Sequence, residues 1–375
     1  MVGETFEAVL RRRLTRRSFL QGALAAAPLC MLRCSVFPAA PARHRLGFQP
    51  VRLSKDDTVM VPPGYAAQVL LRWGDPLFPG VPALDLHQQT AELQSRQFGF
   101  NCDYIGYFPL PHFRAPNPDR GLLVVNHEYT RGQNMFPGYV PGNPTVTQVN
   151  VELAAHGVTV VEVERRRGAW RYDRGSGLNR RITGETEIDI TGPAAGHAWM
   201  KASSDPTGTR VRGTLNNCSG GKTPWGTVLT CEEHFHRYFA NRRRLQAGDP
   251  RAVVHSRYGV PDGPSERRWE LFHDRFDVAV EPNEPFRFGW VVEIDPYNPR
   301  VVPQKRTALG RFNREAATVV IAPDQRVVVY SGDDQPFEYL YKFVSAGRIN
   351  AAHRDANVRL LNEGCLLYTS PSPRD

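Results

Sequence analysis

The stretch Asn216-Asn217-Cys218-Ser219-Gly220-Gly221-Lys222-Thr223-Pro224-Trp225-Gly226-Thr227-Val228-Leu229-Thr230-Cys231-Glu232-Glu233 places a thiol in a Gly-rich turn, follows it with a short apolar strand, and ends on paired carboxylates. A hairpin here brings a thiolate and carboxylates together. That donor set can hold hard and borderline metals at once. No second Cys or His stands at CxxC distance from Cys218, so the spacing matches no zinc pattern. The competing reading of the same residues is a Gly-rich β-turn with a buried Cys and solvated acids.

Strand-like runs spread outward from this hairpin. They fall at 121–126, 157–164, 169–172, 226–231, 289–295, 317–322, 326–330 and 338–344, and their Val, Ile, Tyr and Trp content favours strands over helices. The run at 169–172 pairs with 157–164 across Arg165-Arg166-Arg167-Gly168, and 317–322 with 326–330 across Pro323-Asp324-Gln325. Helical periodicity is sparse, with short helices expected near 92–97 and 233–246. Many short antiparallel strands over this length predict an all-β chain, either a propeller or a sandwich array. The hairpins are too unevenly spaced to count blades. Long insertions at 190–215 and 255–287 interrupt them, and such connections between packed strands are more often functional than idle.

The two ends carry other information. Arg11-Arg12-Arg13 and Thr15-Arg16-Arg17-Ser18-Phe19-Leu20 precede an apolar run at 24–32 and the small residues Pro38-Ala39-Ala40-Pro41-Ala42. Residues 1–42 are therefore expected to be a twin-arginine signal, with Arg16 and Arg17 as its recognition pair for the twin-arginine export machinery. The apolar run is too short to span a bilayer, so a periplasmic or secreted mature protein without a membrane span is expected. At the other end, residues 365–375 read as an in-frame translation of a transposase-type sequencing adapter. The natural chain is then expected to be represented through Gly364, with 43–364 as its domain, and to continue beyond.

Eight Arg against Glu4 and Glu7 before residue 46 account for +6 of the net charge of +9. The basicity belongs mostly to the signal, and charge gives no support for nucleic-acid binding. Without the two ends, Cys102, Cys218 and Cys231 remain. An oxidising compartment allows one disulfide among three and leaves one thiol, which a bound metal would protect.

Acids cluster at strand ends. Asn126-His127-Glu128-Tyr129 closes the first strand and Cys231-Glu232-Glu233 the central one. Asn313-Arg314-Glu315-Ala316 opens the strand at 317, and Ser331-Gly332-Asp333-Asp334 follows the strand ending at Tyr330, with Phe337-Glu338-Tyr339 just after. Carboxylates converging from four strands raise one another's pKa values unless cations neutralise them.

Blocks along the whole body resemble one family. They are Phe98-Gly99-Phe100-Asn101-Cys102-Asp103-Tyr104, Leu123-Val124-Val125-Asn126-His127-Glu128, Ile182-Thr183-Gly184, Gly192-Pro193-Ala194-Ala195-Gly196-His197, Asp205-Pro206-Thr207-Gly208-Thr209, Gly213-Thr214-Leu215-Asn216-Asn217-Cys218 and Phe337-Glu338-Tyr339-Leu340-Tyr341-Lys342-Phe343. Together and in this order they resemble the PhoX-type alkaline phosphatases, exported bacterial metallophosphatases. The resemblance implies a six-bladed β-propeller, incomplete here because its C-terminal blades are missing, with a mixed iron and calcium cluster that hydrolyses phosphomonoesters. Carried over by position, the metal ligands are Cys218, Glu233, Glu315 and Glu128. Asp103, Asp333, Asp334 and Glu338 match further acidic blocks. The resemblance predicts His where this chain has Arg314, and the downstream residues expected to grip phosphate are absent, which puts catalysis by this fragment in doubt. No nucleophile or general acid stands out beyond the cluster.

Two rival functions share the scaffold. One is a calcium-dependent propeller phosphodiesterase or lactonase; the other is a non-enzymatic, calcium-stabilised propeller that binds a partner. Of the remaining polar residues, His127 is expected to support a metal ligand from beside Glu128 rather than bind metal, and His197 to make a structural hydrogen bond. His234 and His236 would lie on different faces of a helix. No P-loop, dinucleotide fingerprint or nucleophile elbow is present.

Overall fold

The computed structural model describes residues 47–110 and 117–369. The proposed signal, with Arg16 and Arg17, lies outside them. The chain forms two units, Met1–Gln68 and Val69–Asp375. In the first, described residues 47–68 contain neither helix nor strand, and Phe48 meets Tyr65 edge-on at 6.0 Å.

The second unit is rich in sheet. Its first sheet has five strands: β1 (Cys102–Leu110), β2 (Asn117–His127), β3 (Gly157–Arg166) and β4 (Ala169–Tyr172) in order, with β5 (Arg180–Ile182) also on β3. The six-stranded second sheet runs β7-β6-β11-β10-β9-β8, from β6 (Glu187–Thr191), β7 (Arg210–Arg212), β8 (Asn217–Lys222), β9 (Val228–Glu232), β10 (Val291–Ile294) and β11 (Gln304–Arg306). The third sheet holds β12 (Thr318–Ile321), β13 (Arg326–Gly332), β14 (Leu340–Arg348) and β15 (Gly364–Tyr368) in sequence. Both predicted hairpins form, β3 with β4 and β12 with β13. One pairing departs from the antiparallel expectation: β6 and β11 run parallel.

The second sheet lies in the core because β9 and β10 are apolar on both faces. Val228, Val292 and Ile294 pack with Leu122, Val124, Val158 and Val160 of the first sheet. The alternate residues Leu229, Cys231 and Val291 pack with Val327, Val329 and Phe343 of the third. Alternation along a strand sends neighbours to opposite faces, and each fully buried Val or Leu contributes about 1.5–3 kcal/mol. Gly221 lets β8 approach the third sheet: a Cβ there would lie 1.9 Å from the Ala317 carbonyl oxygen.

Among the described residues three helices escaped the sequence reading, Val146–Ala155, Gly132–Met135 and Pro250–Arg257. The first starts on a capping box formed by Thr145 and Gln148. The helix expected at 233–246 is instead two 3₁₀ turns, Phe235–Tyr238 and Arg242–Arg244, separated by the left-handed Asn241. Among the described residues no helix is long and apolar enough to cross a membrane.

Candidate metal centre

The hairpin β8–β9 carries the centre. Asn217 pairs with Glu232 and Gly220 with Thr230, and the register shifts between these pairs. Such a bulge turns a side chain out of the regular pleat. Cys218 sits in it, in a strand rather than in the turn expected from its glycines, and is buried. The end of β2 grips the bulge: Asn126 Nδ2 donates to the carbonyls of Cys218 at 2.5 Å and Ser219 at 3.3 Å. Two residues on, the chain delivers Glu128.

Ligand-type atoms of Glu128, Cys218 and Glu233 lie within 4.8 Å of one another, and so do those of Glu233, His234 and Asp334. Glu233 belongs to both groups. Asp103 joins through Oδ2, 3.6 Å from Cys218 Sγ. His234 Nδ1 is 3.1 Å from Glu233 Oε2, and its Nε2 is 3.5 Å from Asp334 Oδ2. Glu315 sits within the field of Asp334, Glu233 and Asp103, its N–H donating to the Gly332 carbonyl at 3.4 Å. Glu315 thus stands nearby without contacting the others, while five of the eight predicted ligands, Glu128, Cys218, Glu233, Asp334 and Asp103, come together.

Asp333 and Glu338 do not. Asp333 precedes Asp334 by one residue, and neighbours on extended chain point apart. Its charged neighbours are Glu338, Arg257 and Arg314, and burial followed by Glu338 raises it to about 6. Glu338 is held by Arg257. Arg314, which stands where His was expected, is buried against Ser331 Oγ and the Leu309 carbonyl, over the Phe312 ring at 3.8 Å. The paired carboxylates also separate. Glu232 turns into the core, where Lys305 Nζ contacts its oxygens at 2.8 and 3.0 Å and the amides of Gly289 and Trp290 donate to it. Burial pulls Lys305 down to about 8 despite that carboxylate.

His197 Nδ1 accepts the Trp199 amide, structural as expected, whereas His127, expected to support the neighbouring ligand, has its Nε2 2.7 Å from Thr159 Oγ1. His234 was discounted on helical geometry, but it precedes a 3₁₀ turn, so the argument about helix faces did not apply. Its position next to Glu233 was the available signal. Among the described residues all cysteines are free, Cys102 and Cys231 included.

The electrostatics are those of an acid cluster that resists full ionisation. Burial, then Glu233 and Asp103, raise Glu128 from 4.5 to about 7. Burial, then Glu233, Asp103 and Glu128, push the Cys218 thiol up. Asp103 and Glu315 are raised, chiefly by burial, and Asp334 is raised by its hydrogen bond with Glu233. Glu233 is lowered: burial opposes the shift, but the hydrogen bond and charge of His234 outweigh it. A thiol and carboxylates that suppress one another's charge, with an imidazole beside them, are a donor set suited to cations.

A cleft of about 740 Å³ opens beside the cluster, lined by Glu128, Tyr129, Asn216, His234, Arg131, Arg237 and Arg267, among others. Arg267 Nη1 is anchored on Thr130 Oγ1 at 2.9 Å. The sequence reading missed these three arginines, because no motif or periodicity marks them.

Among known families, residues 46–371 match the one described as alkaline phosphatase PhoX. Among solved structures the chain is similar to Pseudomonas fluorescens PhoX, determined in complex with vanadate, a transition state analogue. The identity is 44% and the TM-score 0.81, over 86% of this chain and 55% of that one. The chain thus spans little more than half the length of that protein. Comparison with curated proteins gives no match. The family match covers most of the sequence and the structural similarity agrees with it, and the chain belongs to the PhoX alkaline phosphatase family.

Proposed function

We propose that the full-length protein is an exported, metal-dependent alkaline phosphatase that releases inorganic phosphate from phosphomonoesters. The observation that carries this reading is the convergence of Glu128, Cys218 and Glu233 within 4.8 Å beside a cleft lined by Arg131, Arg237 and Arg267. The similarity to a PhoX protein that binds a transition state analogue supports it. We read the cofactor as an iron and calcium cluster held by Cys218, Glu233, Glu128 and Glu315, with Asp103 and Asp334, on a β-propeller completed by chain beyond these residues. The thiolate suits iron, and the carboxylates suit either ion. When bound, such cations supply Lewis acidity and lower the pKa of coordinated water.

The chain's own residues do the rest. The three guanidinium groups meet the charge on the phosphate oxygens, where transition-state charge develops. His234, between Glu233 and Asp334, orients both carboxylates. Twin-arginine export, which carries folded proteins, fits a protein that loads metal before it crosses the membrane.

Elemental analysis of the full-length protein tests the cofactor, and turnover of a simple phosphomonoester tests the activity. We expect iron and calcium together, with iron lost in Cys218→Ser. Normal iron in a folded Cys218→Ser protein would remove the ligand assignment. Calcium without iron would favour a calcium propeller phosphodiesterase or lactonase, in which a buried thiol among carboxylates has no use. Metal without any ester turnover would leave a calcium-stabilised binding protein.

A further inference from the structure

One residue touches every member of the first ligand group without belonging to it. The backbone carbonyl of Asn216 accepts the N–H groups of Cys218 and Glu233, each at 3.0 Å. Its side-chain Nδ2 donates to Glu128 Oε1 at 3.1 Å. The residue is 3% exposed and adopts φ +53°. Its Oδ1 faces the Tyr238 hydroxyl at 3.5 Å. That hydroxyl is in turn fixed 2.8 Å from His156 Nε2, and His156 Nδ1 donates to the Glu152 carbonyl at 2.7 Å.

The residue type follows from two demands. A left-handed backbone is tolerated by Gly, Asn and Asp and strains other L-residues. The bond to Glu128 requires a donor, which Gly lacks, while Asp would set a further carboxylate against Glu128. Asn meets both demands.

We propose that Asn216 is the positioning residue of the centre: its backbone carbonyl sets Cys218 and Glu233 in register, and its amide holds Glu128 against them before a cation arrives. The inference rests on reading these three residues as ligands. Positioning groups of this kind change metal affinity about 10–100-fold when removed.

The test uses full-length apoprotein titrated with cobalt(II), whose bond to a thiolate gives an absorption band that reports on Cys218. Asn216→Gly keeps the left-handed backbone and the carbonyl and removes only the amide. We expect its cobalt affinity to fall about 10–100-fold, with the thiolate band retained at saturation. Asn216→Ala should lose the same affinity and, strained at this left-handed backbone, melt at lower temperature than the glycine variant. A cycle with Glu128→Gln separates positioning from general loosening: in that background the loss on Asn216→Gly should vanish, because coupled residues are not additive. Wild-type cobalt affinity in folded Asn216→Gly would overturn the proposal, and so would an undiminished loss in the Glu128→Gln background. Wild-type protein that binds metal but hydrolyses no phosphomonoester would overturn the phosphatase reading and leave this one standing.

Discussion

Glu128 governs the charge state of the cation-free centre. Its folded pKa is raised from 4.5 to about 7 by burial and by Glu233 and Asp103. The folded protein then keeps a proton that the unfolded chain releases between pH 4.5 and 7, so this group removes stability as pH rises through that window. In chelator, the wild type should therefore lose melting temperature relative to Glu128→Gln as pH rises from 4.5 to 7. Parallel curves for the two proteins would show that the carboxylate does not titrate as placed. Cys218, Glu233, Glu128 and Asp103 were legible in the sequence because each stands beside a strand end in a quotable block. The separation of Asp333 from Asp334, and of Glu232 from Glu233, was not. It depends on which face each neighbour takes, and a bulge or a turn decides that face. Asn216 was hidden for a different reason: its work is done by its backbone carbonyl, which every residue possesses, and by a conformation that the letter N only permits.

β8 is the element on which the centre depends, and it is an improbable strand. Asn217-Cys218-Ser219-Gly220-Gly221-Lys222 has almost none of the branched or aromatic content that marks strands, and its glycines read as a turn. They are there for close approach. A Cβ on Gly221 would meet the Ala317 carbonyl at 1.9 Å, and one on Gly220 would meet that of Leu229 at 2.2 Å. Gly221→Ala should therefore cost about 1–3 kcal/mol, the range for overpacking, and should weaken cation binding because Cys218 lies on the same strand. Chemical denaturation and metal titration check the two effects, and unchanged stability would mean that the sheets are free to part. The hairpins β3–β4 and β12–β13 were legible because local turns join them. β6, β7 and β11 are three to five residues long, too short for alternation to stand out from the loops around them.

Across the whole molecule, buried histidines set the response to acid. Burial lowers His156 to about 3 and His255 to about 4, from an ordinary 6.5. The fold holds both rings neutral, while the unfolded chain takes up protons as pH falls below 6.5. Their contribution to stability is complete above pH 6.5 and is lost as pH falls toward 4 for His255 and 3 for His156. Unfolding should therefore become progressively easier below pH 6.5, and His156→Gln should flatten that slope in denaturant melts. A slope undiminished by the substitution would assign the acid response to groups other than His156. The all-β class was legible from strand content, but the arrangement into three sheets was not. The second sheet is completed by β6 against β11, whose parallel register joins Asp189 to Gln304, and no local pattern announces a partner that remote.

The ion pair between Lys305 and Glu232 joins residues 73 positions apart, and this sets an order of events during folding. The β8–β9 hairpin needs only a local turn, so Cys218 and Glu233 are assembled early. Contacts between remote positions form late, because loop closure must come first. Until β11 docks, the strand that ends in Glu232 carries that carboxylate into the core with no cation to meet it, and an unpaired buried charge is strongly destabilising. The hairpin that bears Cys218 and Glu233 is thus provisional until Lys305 arrives, and a residue that touches no ligand of the centre is a condition of its assembly.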